Sequence, residues 1–236
     1  MNMNCISKIV SITKGVFKSK DGKTLVANFG YLSLLQVASY VFPFITIPYL
    51  SKTIGVDGYG RLAFASAVIV WIQTIVDWGF NYTATRDVAR QRDNKDAVSK
   101  IFSDVLWSRL VLMGVSFLIL IALILILPKF HEESSVLIVT FLLIPGHILF
   151  PEWFFQAVER MKYITIFNIL SKLLFTLAVF VFIHEKDDYI IQPLLISLGY
   201  IICGIISLYV IVRRWGYKIM YPSLKDIRNE IKKGAD

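Results

Sequence analysis

Residues 110–128 read LVLMGVSFLILIALILILP, nineteen positions without one Asp, Glu, Lys or Arg. As a helix rising 1.5 Å per residue, this run reaches about 28 Å, close to the thickness of a bilayer's hydrocarbon core. It shows no apolar–polar alternation, so a strand of a membrane barrel is a poor reading. Backbone amides in lipid must be satisfied within the segment, which leaves a transmembrane helix.

Working outward, the same pattern recurs. Thr24–Ser51 is uncharged for 28 residues, Ser134–Pro151 for 18 and Tyr189–Val212 for 24. Two further runs carry a single charge each: Leu62–Thr85 holds Asp77, and Tyr163–His184 holds Lys172. The expected fold is all-α and polytopic, with six transmembrane helices at about 28–50, 61–82, 105–127, 135–157, 163–183 and 189–212. Composition agrees. Hydrophobic residues are 56% of 236, enough for six spans at the ~20 residues each crossing needs. The mean hydropathy of +0.63 excludes a soluble enzyme, a disordered chain and a disulfide scaffold.

The 25 Lys and Arg residues sort by side. With six spans, 19 fall on one face: in the N-terminal arm 1–27, the second loop, the fourth loop and the tail 213–236. Four (Lys52, Arg61, Lys129 and Lys186) fall on the other. The positive-inside rule then places both termini in the cytoplasm. The net charge of +8 is largely topology, and its dispersal over four segments argues against nucleic acid. The arm 1–27 lacks the apolar core of a signal peptide. It reads either as a basic arm on the inner leaflet or as a disordered tail. Cys5 and Cys203 are not placed to pair. Asn81-Tyr82-Thr83 matches a glycosylation sequon by accident of position.

The spans are not uniformly apolar. Pro43 and Pro48 in span one, and Pro145, Gly146 and Pro151 in span four, are expected to kink or break their helices. A charge at mid-membrane costs ~2.5–3.5 kcal/mol even on the gentler insertion scale, so Asp77 and Lys172 need compensation. Gln73, Asp77 and Asn81 form one stripe, and Asn168 and Lys172 a second. Glu152, Gln156 and Glu159, with Trp153 alongside, form a third. Asp77 and Lys172 either pair across helices or line a water-filled path, and the two readings are compatible. Arg109, at the start of span three, is expected to snorkel to the headgroups. Aromatic residues near the span ends, among them Trp78, Trp153, Tyr163 and Trp215, fit an interfacial belt. No nucleotide-binding loop, metal-ligand spacing or nucleophile–base set occurs in the sequence. The outer loops are too short for an active site, so transport without a cofactor is the expected class.

Three segments carry a family resemblance. They are Tyr40-Val-Phe-Pro43-Phe-Ile-Thr-Ile-Pro48-Tyr-Leu with Ile54-Gly55 and Tyr59-Gly60; Asp77-Trp-Gly-Phe-Asn81-Tyr-Thr-Ala-Thr-Arg86-Asp-Val-Ala-Arg90; and Pro151-Glu-Trp-Phe-Phe-Gln156-Ala-Val-Glu159-Arg-Met-Lys162-Tyr-Ile-Thr165. Together they resemble the Wzx-type O-antigen flippases of the multidrug/oligosaccharidyl-lipid/polysaccharide exporter superfamily. The resemblance implies one lobe of a MATE-like fold, in which two six-helix lobes form a V around a polar cavity. It implies alternating-access movement of undecaprenyl-pyrophosphate-linked O-antigen units across the bacterial inner membrane. Implied partners are that lipid-linked oligosaccharide, membrane lipids and other O-antigen assembly proteins. Asp77, Asn81, Arg86, Glu152, Trp153 and Gln156 are the motif positions carried over as cavity residues. Asn168 and Lys172 join them on the charge argument, with Lys172 facing the anionic pyrophosphate. The resemblance covers only an N-terminal half, so a truncated half, inactive alone, is expected. Multidrug efflux and a non-transporting membrane scaffold are the alternative functions.

Overall fold

The computed structural model describes residues 20–235. Residues 1–19, hence most of the basic arm and Cys5, lie outside the described residues. The helices are α1 (Lys20–Thr53), α2 (Gly55–Asp77), α3 (Phe80–Arg90), α4 (Lys95–Ile126), α5 (Pro128–Glu132), α6 (Ser134–Phe141), α7 (Leu143–Leu149), α8 (Glu152–Ala157), α9 (Met161–Phe182), α10 (Ile191–Tyr209) and α11 (Leu224–Ala235). A 3₁₀ turn, Lys186–Ile190, leads into α10, and a π-helical turn, Val210–Arg214, ends it. No strand occurs among the described residues.

Six segments are long and apolar enough to cross a membrane: Gly22–Thr53, Gly55–Arg90, Lys95–Ile126, Ser134–Ala157, Met161–Phe182 and Lys186–Arg214. The protein is a multi-pass helical membrane protein, as the uncharged runs require. Several helices outrun those runs. α4 begins at Lys95 rather than near 105, where Asn94 caps it by accepting a 3.1 Å bond from the Ala97 amide.

The breaks differ from expectation in an informative way. α1 continues through Pro43 and Pro48 without interruption. Span two, expected to be continuous, is broken at Trp78–Gly79. Both residues have positive φ, 39° and 79°, a conformation glycine adopts readily and tryptophan rarely. Span four is interrupted as expected, into α6, α7 and α8. Its decisive break is at Phe150–Pro151, whereas Pro145 sits in the first turn of α7, where a missing N–H is tolerated.

Helix association in lipid gains little from hydrophobic burial and depends on close backbone approach. Glycines provide it along α10. A β-carbon added at Gly146 would lie 2.8 Å from the Tyr200 Cβ, and one at Gly199 would lie 2.9 Å from the Ser171 Oγ. Thus α10 packs between α7 and α9. α1 packs on α9, tied by Thr165 Oγ1 donating to the Tyr31 carbonyl (2.8 Å) and Tyr49 Oη donating to the Ile183 carbonyl (2.7 Å). Its other face leaves Phe29, Tyr40 and Phe44 exposed.

The segment after the sixth span folds back on the bundle. Ser99 and Ser103 of α4 bond the backbone of Lys218 and Met220, and Trp107 Nε1 donates to the Met220 carbonyl at 3.2 Å. Ser223 and Asp226 then cap α11 reciprocally: the Asp226 amide donates to Ser223 Oγ (3.2 Å), and the Ser223 amide to Asp226 Oδ2 (3.1 Å). Those bonds from Ser223, with Lys100 nearby, hold the Asp226 carboxyl below the usual aspartate range. The bond to Glu230 raises Lys233 above the usual lysine range.

Candidate functional site

The site grows from the two broken spans. Asp77 is the last residue of α2 and Asn81 the second of α3, on either side of the Trp78–Gly79 break. Arg109 of α4 reaches both: its Nη2 lies 3.2 Å from Asp77 Oδ1 and donates to Asn81 Oδ1 at 2.7 Å. Arg109 is only 4% exposed, and its Nε has no hydrogen-bond partner among the described residues. One expectation is corrected, and one of two open readings is set aside. Arg109 does not snorkel, because two acceptors inside the bundle hold its guanidinium. Asp77 pairs with Arg109, not with Lys172, because the break turns it toward α4.

The second break seats α8. Glu152 opens this helix, and its Oε1 accepts a 2.6 Å bond from Asn168 Nδ2 of α9. A cluster of rings fixes the rest. Phe154 and Phe155 pack among Phe102, Tyr163, Trp215 and Tyr217, with Tyr163 and Trp215 edge-to-face at 5.0 Å. The Arg160 guanidinium caps the cluster, 4.7 Å from the Trp215 ring centroid. Trp153 is 3% exposed and so packs inside the bundle rather than facing an interface. The cluster also holds the Tyr217 phenol above its usual range by burial.

Between the two half-helices lies a cleft of ≈ 500 Å³. Asn81, Tyr82, Thr85, Arg86 and Ala89 of α3 form one wall, and Glu152, Trp153 and Gln156 of α8 the other. Thr85 Oγ1 bridges the walls, donating to the Trp153 carbonyl at 3.2 Å. Arg86 pairs with Asp87 at 3.1 Å and is half-exposed at the cleft rim.

The sequence profile described as "Polysaccharide biosynthesis protein" matches residues 25–236, which include all of these residues. The chain belongs to this family. It is 32% identical over 211 residues to "Putative O-antigen transporter" of Escherichia coli (strain K12), covering 89% of this chain and 51% of that protein. It is 28% identical over 203 residues to the protein of the same name from Shigella dysenteriae, covering 85% and 50% respectively. The chain spans about half the length of these relatives. No solved structure matches it.

Within this family member, five of the eight expected site residues (Asn81, Arg86, Glu152, Trp153 and Gln156) line one cleft. Asp77 and Asn168 stand behind its walls and hold Asn81's helix and Glu152. Lys172 lies apart, in a ≈ 180 Å³ pocket between α1, α9 and α10 that also includes Thr46, Ser171 and Tyr200. It forms no ion pair among the described residues. Sequence reasoning missed Arg109, Thr85, Tyr200 and His147, the last stacked on Tyr200 with centroids 4.5 Å apart. Arg109 carried a readable signal: a cation directly abutting the 110–128 run must either reach water or find partners. Among the described residues no group of His, Cys, Asp and Glu is arranged to hold a metal ion.

Proposed function

We propose that this chain is one six-helix lobe of a transporter that moves lipid-linked O-antigen oligosaccharide from the inner to the outer leaflet of the bacterial inner membrane. The observation that carries the reading is the cleft between α3 and α8. Both walls come from half-helices, and irregular backbone at membrane depth is tolerated where it lines a wet cavity. The walls offer amide, phenol, hydroxyl, carboxylate and guanidinium groups, an inventory suited to sugar hydroxyls and to a phosphate. The names of the two relatives agree, and their doubled length leaves room for a facing lobe.

The substrate has a lipid tail, an anionic pyrophosphate and neutral sugars. The tail remains in lipid while the sugars occupy the cleft. Lys172, a cation in a largely apolar pocket between α1, α9 and α10, attracts the pyrophosphate. The cleft lies at the basic end of the bundle, beside Arg86, Arg90 and Arg160. The positive-inside rule makes that end cytoplasmic, with both termini on the same side, so the cleft is the loading side. Glu152, held by Asn168 in the cleft wall, is the carboxylate suited to ion coupling.

The test is Lys172→Ala in a full-length transporter, with surface O-antigen measured in cells. The expected result is loss of surface O-antigen at normal protein level. Unchanged surface O-antigen overturns the role of Lys172.

A further inference from the structure

We propose that Arg109 is the positioning residue of the cleft: by holding Asp77 and Asn81 together across the Trp78–Gly79 break, it sets the angle between α2 and α3 and so fixes the α3 wall. This rests on geometry alone and does not depend on what the cleft carries.

α3 supplies a whole wall of the cleft, yet it joins α2 only through two residues of positive φ. A two-residue link of that kind is a hinge unless other contacts hold both of its ends. On the bundle side, one nitrogen of Arg109 touches the carboxylate that closes α2 and the amide that opens α3. On the other side, Trp78 Nε1 donates to the Ile231 carbonyl of α11 at 2.9 Å, and Gly79 meets the Gly234 backbone so closely that a β-carbon on either glycine would overlap the other segment. The break is therefore clamped from two sides. Of the two clamps, only Arg109 spans it from one helix to the next.

A role limited to stability explains Arg109 poorly. It is 4% exposed, and among the described residues its Nε is unpartnered and its one charged partner is a carboxylate whose side chain is 29% exposed. A buried ion pair of this kind stabilises a fold little compared with well-packed apolar residues, but it fixes geometry. Lysine replaces it poorly, because its ammonium ends a flexible stem, whereas the rigid, planar guanidinium keeps that one nitrogen fixed between the two acceptors.

The experiment measures the wall directly. Spin labels are placed at Ala89 in α3 and Gln156 in α8, in the whole chain in nanodiscs, with Cys5→Ser and Cys203→Ala as background. A reference pair at Val70 and Val115, both lipid-facing, reports α2 against α4. The native chain is expected to give one narrow Ala89–Gln156 distance distribution. Arg109→Gln and Arg109→Lys are each expected to broaden it or move it by several ångströms, while the reference pair stays narrow. Asp77→Asn, which keeps an acceptor oxygen, is expected to shift it less. Arg109→Lys guards against a variant that merely fails to fold, since it keeps the charge and most of the volume. An unchanged Ala89–Gln156 distribution in folded Arg109→Lys and Arg109→Gln overturns the proposal. So does equal broadening of the reference pair, which would mark Arg109 as a general structural residue.

Discussion

The crossing of α10 over the α7–α8 junction leaves no room for a side chain. A β-carbon at Gly204 would lie 2.6 Å from the Leu149 Cβ, 3.0 Å from the Leu149 carbonyl carbon and 3.2 Å from the Phe150 amide nitrogen. Two of these atoms are backbone, so the contact cannot be relieved by a rotamer change. Overpacking of this kind costs about 1–3 kcal/mol. Against it stands the helix-propensity gain of replacing glycine by alanine, up to about 1 kcal/mol. Gly114 in α4 isolates that gain, because nothing lies within 4 Å of its added β-carbon. Gly114→Ala is therefore expected to stabilise the chain by about 0.5–1 kcal/mol. Gly204→Ala is expected to destabilise it by about 1–2 kcal/mol. The gap of about 2 kcal/mol is roughly 30-fold in the folding constant. Reversible unfolding by SDS in mixed micelles, followed by tryptophan fluorescence, resolves such a gap. If Gly204→Ala proves as stable as Gly114→Ala, the close approach of α10 to the end of α7 is wrong.

Two further predictions concern the supports of the cleft. Asn168→Leu removes the 2.6 Å donor to Glu152 and leaves a buried carboxylate short of a partner, at a cost of about 1–3 kcal/mol. Adding Glu152→Gln is expected to recover part of that loss, and the same SDS titration checks both; purely additive losses would argue against the bond. α11 is expected to loosen in acid. The folded Asp226 carboxyl lies below the 3.8 of a free aspartate, so its contribution is complete above that value and fades as pH falls through the folded pKa. Lys233, raised in the fold, contributes below the free value of 10.5 and loses its contribution as pH rises through its own folded pKa. Fluorescence of Trp78 in a single-tryptophan variant follows α11, whose Ile231 carbonyl it bonds. It should change at both extremes and stay flat between, and Asp226→Ala should remove the acid change.

Six helices were legible because the cost of a charge in lipid leaves long gaps between charged residues, and 110–128 shows the gap at its plainest. The helix breakers of span four, Pro151 among them, also located the break before Glu152. The break in span two was not legible. Gly79 is one of 13 glycines in the chain, and only the docking of α11 on Trp78 and Gly79 shows why the helix turns there. The partner of Asp77 was left open for a related reason. Residue order says nothing of which helix faces which. α4 stands beside the break and brings Arg109 to it, while Lys172 faces α1 and α10. The family motifs did better at the cleft, since Asn81, Arg86, Glu152, Trp153 and Gln156 are near neighbours within two short helices. Asn168, singled out as a polar residue in a span, is buried and bonds Glu152, while Asp77 lies 29% exposed beside Arg109.

The central claim is that the cleft between α3 and α8 contacts the saccharide of a lipid-linked substrate. A photo-crosslinking residue at Gln156 tests it most directly, in a full-length transporter in cells making O-antigen. The control is the same residue at Leu118, which is 69% exposed on the lipid-facing side of α4. Illumination is expected to give a polyprenyl-linked oligosaccharide adduct at position 156 and none carrying saccharide at position 118. Equal adducts at both positions, or none at 156 while the transporter still exports O-antigen, would contradict the account.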